Sequence, residues 1–136
     1  MNSNNETLNV LSDLIKYKSV TPDKTDCQKY IDNYLSQLGF KTEYFKYDDV
    51  SNMISSLGKD GPCLAFVGHT DVVPPGELSL WKTDPYTLSL NDDLLTGRGT
   101  ADMKGGIACF MTAVKGFVQN NGEINGSIKI ILTADE

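Results

Sequence analysis

His69 is the chain's one histidine; it stands where an apolar run gives out, and Asp71 follows two residues later. In extended backbone successive side chains alternate faces, so His69 and Asp71 point the same way. A metal-bound imidazole needs its second nitrogen held by an acceptor, commonly a carboxylate. The pair therefore suits a ligand with an orienting partner; a histidine hydrogen-bonded at a strand end is the plain alternative. Asp102 lies in the run Gly97-Arg98-Gly99-Thr100-Ala101-Asp102-Met103-Lys104-Gly105-Gly106, just before a helical pattern, where a carboxylate can bind an ion or cap the helix. The glycines do not make a phosphate loop. Asp102 stands where a dinucleotide fingerprint wants glycine, and no G-K-[ST] follows. Asp135 and Glu136 close a third stretch, at the C-terminal end of a strand pattern, where open α/β sheets build their ligand crevices. One imidazole with several carboxylates is a hard-to-borderline donor set, with zinc the leading candidate. Arg98 and Lys104 flank it and read as solvated or structural charges, and Trp81 and Tyr86 as packing or rim residues.

The elements that must position these side chains follow from apolar periodicity. Residues 6–18 carry Leu8, Leu11, Leu14 and Ile15 at helical spacing, and Thr21-Pro22 breaks the pattern. A second helix runs through Cys27, Ile31, Tyr34, Leu35 and Leu38, with Gly39 where a left-handed cap is expected. Strands are expected at 40–47 and 53–57. Residues 63–67 form a continuous apolar run, as in a strand buried on both faces of a sheet, and deliver His69 at its end. Residues 72–96 are irregular, a long functional loop or hairpin with strand-like alternation only at 86–90. Residues 104–119 form a helix with Ile107, Phe110, Met111, Val114, Phe117 and Val118 in register, and Asn125-Gly126 turns the chain into a strand at 127–132. Helices alternating with buried strands indicate an α/β class: a mixed central sheet with helices on both faces.

Composition narrows the partners. Lys and Arg number 12 against 18 acids, net charge −6, and no basic stripe exists, which argues against nucleic acid. Cys27, Cys63 and Cys109 form no C-x-x-C pair and read as reduced thiols. The opening residues lack a charged n-region followed by an apolar stretch, and no window is long and apolar enough to span a bilayer, so a cytoplasmic location without membrane partners is expected.

Gly68-His69-Thr70-Asp71-Val72-Val73-Pro74, Trp81, Asp84-Pro85-Tyr86, Gly97 through Gly105 and Thr133-Ala134-Asp135-Glu136, taken together, resemble the M20 family of metallopeptidases. The resemblance spans essentially the whole chain, in order. It implies that His69 binds metal, Asp102 bridges two Zn2+ ions per subunit (with Co2+ a possible substitute), Asp71 orients His69, and Glu136 is the general acid/base. It implies a small N-acyl amino acid substrate, in the first place N-succinyl-LL-2,6-diaminopimelate cleaved to succinate and LL-2,6-diaminopimelate. Acetylornithine deacetylation and other deacylase or dipeptidase activities are alternatives. Family members usually carry a second Glu directly after the position of Glu136, a further carboxylate, a late histidine and a dimerisation domain. Residues 1–136 are therefore expected to be the truncated N-terminal part of the catalytic domain of a homodimeric enzyme, binding zinc weakly and hydrolysing nothing alone. A non-catalytic remnant is the alternative from another class.

Overall fold

The apolar stripe near the N-terminus becomes α1 (Ser3–Lys16), which buries Val10, Leu11, Leu14 and Ile15. The computed structural model describes residues 3–121 and 124–136. Helix α1 stops two residues before the expected end; there Tyr17 N closes a last turn on Leu14 O at 3.2 Å, and Lys104 Nζ donates to Leu14 O at 3.0 Å and to Tyr17 O at 2.6 Å. Helix α2 (Cys27–Ser36) buries Cys27, Ile31 and Leu35. Gly39 after it takes φ 89°, the left-handed backbone that a side chain disfavours.

A hairpin follows, β1 (Lys41–Tyr47) and β2 (Val50–Gly58), then β3 (Cys63–His69). The long irregular stretch folds into turns and a small hairpin, β4 (Ser89–Asn91) with β5 (Leu94–Thr96). The alternation at 86–90 is mostly not a strand. Asp84 holds that stretch in a turn, accepting from Tyr86 N at 2.9 Å through its carboxylate and from Thr87 N at 3.1 Å through its carbonyl. Helix α3 (Gly105–Asn121) and β6 (Ser127–Thr133) complete the chain.

The main sheet has the order β1-β2-β6-β3. Strands β1, β2 and β6 pair antiparallel, while β3 runs parallel to β6, so the sheet is mixed, as expected. The parallel register sets His69 opposite Thr133, which places the ends of β3 and β6 at one edge. Met53, Ile128, Ile130 and Leu132 share one face and form a single core with residues of all three helices. The expectation that residues 63–67 are buried on both faces does not hold: Leu64 is 61 % and Val67 64 % exposed, and Cys63 and Ala65 are exposed too. Strand β3 lies at the sheet's outer edge, and the described helices gather on the face of Ile130, so the face of Ala65, Val67 and Lys129 meets solvent. An apolar run reads the same whether its second cover is present or not.

Candidate metal centre

At the edge where β3 and β6 end, the His69 ring is nearly enclosed and its two nitrogens face different partners. Nε2 lies 3.1 Å from Asp102 Oδ1 and 3.2 Å from Glu136 Oε2. The three donor atoms fall within 4.8 Å of one another, the one such group of histidine, cysteine and acidic side chains among the described residues. Nδ1 lies 3.0 Å from the main-chain oxygen of Asp71 and 3.3 Å from its Oδ1. Only the carbonyl is aligned as a hydrogen-bond acceptor; Oδ1 has no hydrogen-bond partner, so it acts on the ring through charge at short range. Asp71 is thus placed beside His69 as the sequence implied, but the closer contact is main-chain.

The rest of Asp71 is an anchor. Its carboxylate is buried, 2 % exposed, and Oδ2 accepts from the Thr21 hydroxyl at 2.5 Å and from Glu136 N at 3.3 Å. Segment 19–21 runs alongside 70–72 like a short strand: Val72 N donates to Ser19 O at 2.8 Å and Thr21 N to Val72 O at 3.1 Å. Ser19 Oγ donates to Thr70 O at 2.9 Å.

Asp102 is held by the turn before α3. Gly99 adopts φ 89° and its carbonyl accepts from Lys104 N at 2.9 Å. The Asp102 carboxylate meets His69, not the helix's first N–H groups, so of the two roles open to it in the sequence the capping role is not the one seen. Met103 packs against Gly68, and its sulfur accepts from His69 N at 3.3 Å, tying the turn to the end of β3. The neighbouring charges divide. Lys104 is structural, fully buried against α1, and burial pushes its pKa below the ordinary lysine range. Arg98 lines the cleft with His69, Asp102 and Glu136, its guanidinium 5.3 Å above the Trp81 ring. Asp135, paired with Glu136 in the sequence reading, is not in the cluster.

The electrostatics ask for a cation. Burial disfavours a charged His69 ring, yet the Asp102 hydrogen bond, the Glu136 charge and the Asp71 carbonyl and carboxylate outweigh it and raise the pKa above the usual histidine value. With Nδ1 donating to the Asp71 carbonyl, the Nε2 lone pair aims at two carboxylate oxygens, an arrangement that is repulsive unless a proton or a metal ion lies between them. One imidazole and two carboxylates within a metal's reach fit zinc chemistry. The side chains of Asp102 and Glu136 are 79 % and 68 % exposed, so the same point is open to an ion and to substrate. Sequence reasoning did not single out Thr21, which reads as a helix breaker beside Pro22, nor the buried role of Lys104.

Comparison with known proteins gives the same direction. The profile of "Peptidase family M20/M25/M40" matches residues 65–136. The chain is 46 % identical over 130 residues to the succinyl-diaminopimelate desuccinylase of Methylobacillus flagellatus, covering 96 % of this chain and 35 % of that protein. It is 45 % identical over 132 residues to the enzyme of the same name from Nitrosomonas eutropha, with 97 % and 35 % covered. It spans about a third of the length of these relatives. In fold it is similar to human carnosine dipeptidase 1 (TM-score 0.81, 24 % identity, covering 96 % of this chain and 32 % of that one). It is also similar to an M20 family metallo-carboxypeptidase from Sulfolobus solfataricus (TM-score 0.80, 23 % identity, 93 % and 30 % covered). With the profile reaching from within β3 to Glu136, and so across His69, Asp102 and Glu136, the chain belongs to the M20/M25/M40 peptidase family.

Proposed function

We propose that this chain is the first part of the catalytic domain of a zinc-dependent amide hydrolase whose substrate is N-succinyl-LL-2,6-diaminopimelate, released as succinate and LL-2,6-diaminopimelate. The observation that carries the reading is the convergence of His69, Asp102 and Glu136 at one sheet edge. The similarity to two desuccinylases at 46 % and 45 % identity favours this substrate over N-acetylornithine.

In this reading His69 Nε2 and the Asp102 carboxylate would hold the zinc. Bound there, zinc supplies Lewis-acid polarisation of the amide carbonyl and brings a water's pKa toward ~7. The Asp71 carbonyl keeps the proton on Nδ1 and so presents the Nε2 lone pair to the ion. Glu136, anchored through its N–H to Asp71 and exposed at its carboxylate, takes a proton from the attacking water and returns it to the leaving amine. A catalytic zinc has about three protein ligands, and His69 and Asp102 supply part of such a set. The 136-residue chain alone therefore binds zinc weakly and releases no succinate, and the intact polypeptide works as a cytoplasmic homodimer. The test is to assay the intact zinc-loaded polypeptide on N-succinyl-LL-2,6-diaminopimelate, N-acetylornithine and a dipeptide. Succinate release at the highest kcat/KM supports the reading, and preferential cleavage of either other amide replaces it.

A further inference from the structure

We infer that Thr21 is a positioning residue of the metal centre, its hydroxyl fixing the Asp71 carboxylate, whose Oδ1 lies beside His69 Nδ1 and whose Oδ2 accepts from Glu136 N. The inference deepens the reading of His69 and Glu136 given above and rests on it.

Three observations carry it. First, the Thr21 hydroxyl donates to Asp71 Oδ2 and is the nearer of its two donors, the other being Glu136 N at 3.3 Å. A buried carboxylate has few ways to turn, and the donor nearest to it sets which one it takes. Second, the two oxygens of Asp71 face opposite tasks. Oδ2 meets Thr21 and the Glu136 main chain, and Oδ1 lies 3.3 Å from His69 Nδ1 with no hydrogen-bond partner of its own. A carboxylate freed at Oδ2 would swing to satisfy Oδ1, competing with the Asp71 carbonyl for the Nδ1 proton and releasing Glu136 N. Third, Thr21 is delivered by backbone. The pairing of 19–21 with 70–72 places its hydroxyl over Asp71, and its own side chain lies at the cleft with His69, Asp102 and Glu136. Thr21 is exposed, so its methyl group packs no core, and the hydroxyl is what the site would lose on substitution.

The test uses the 136-residue chain and the fact that His69 is its only histidine. Ring 15N and Nδ1–H resonances then report one imidazole without assignment ambiguity. Zinc affinity is read in parallel by competition with a chromogenic chelator. Thr21→Val, matched in shape, should shift the Nδ1–H resonance and weaken zinc binding about tenfold, the scale on which partners of metal ligands act. Thr21→Ser, which restores the hydroxyl, should recover both. An unchanged resonance and affinity in folded Thr21→Val overturns the inference while leaving the metal centre intact. If the wild-type chain binds too little zinc to read, as its partial ligand set allows, the resonance of the metal-free protein decides the role of Thr21, and the metal reading is decided separately on the intact polypeptide. Unfolding of both Thr21→Val and Thr21→Ala also overturns it, since the hydroxyl would then serve the fold and not the site.

Discussion

His69, Asp102 and Glu136 come from positions 33 and 34 residues apart, yet their ligand atoms fall within 4.8 Å of one another. Their types and places were legible in the sequence because His69 and Glu136 stand where an apolar strand pattern stops and Asp102 stands in a glycine-rich run just before a helical one, positions at which a polar side chain has no packing reason to be. The finer contacts were not legible. Every residue carries a carbonyl, so nothing in the sequence marks the Asp71 main-chain oxygen as the acceptor for Nδ1. Nor does it mark Thr21, fifty positions away, as the donor to Asp71. At this scale the sharpest prediction concerns Glu136, whose carboxylate is exposed while its N–H is anchored. Glu136→Gln keeps size and polarity but cannot take a proton. In the intact polypeptide it should lower kcat by ~10²–10⁴-fold with KM little changed. Initial-rate kinetics on the succinylated substrate checks this; a loss confined to KM would assign Glu136 to binding and remove it from proton transfer.

Elements are what turn these residues into a site, and the turn between β5 and α3 is a tightly constrained one. A side chain at Gly105 would place its Cβ 2.2 Å from Thr100 O, a backbone atom that cannot step aside alone. Gly116, in the same helix, has nothing within 4 Å of the corresponding point. Helix propensity alone favours alanine over glycine at both by roughly 0.5–1 kcal/mol. The expected outcomes have opposite signs. Gly116→Ala should raise the urea midpoint, whereas Gly105→Ala should lower it and weaken zinc binding, because the displaced turn carries Asp102. A stabilised Gly105→Ala with unchanged affinity would mean that the turn yields cheaply. Periodicity located α1, α2 and α3 in the sequence to within a few residues, since each buries one stripe. It could not foresee that Lys104, at the start of α3, would bond the carbonyls of Leu14 in α1 and Tyr17 just after it, contacts spanning 90 and 87 positions. The strand-like alternation at 86–90 misled for a related reason: a local turn around Asp84 outcompetes it.

On the scale of the whole molecule, the sheet is covered by helices on one face and open on the other, and its β3 edge is unpaired among the described residues. That combination has a physical consequence. Val67 is 64 % exposed on the open face beside Ala65 and Cys63, at a strand whose outer N–H and C=O groups offer a template for another strand. Natural sheets guard such edges with charge, bulges or cover, and the one charged side chain opposite this stretch, Lys129, lies on β6, not on β3. The 136-residue chain should therefore self-associate as its concentration rises, through strand pairing and burial of the apolar face together. Sedimentation velocity across a concentration series should show a rising weight-average mass. Val67→Lys should suppress the rise, since a charge on the exposed face must be desolvated in any edge-to-edge packing. A chain that stays monomeric throughout, or a Val67→Lys variant that associates as strongly as the original, would show that this face is not what drives association. The same edge carries His69 at its end, so any strand pairing with β3 along its whole length would also arrive beside the candidate metal centre.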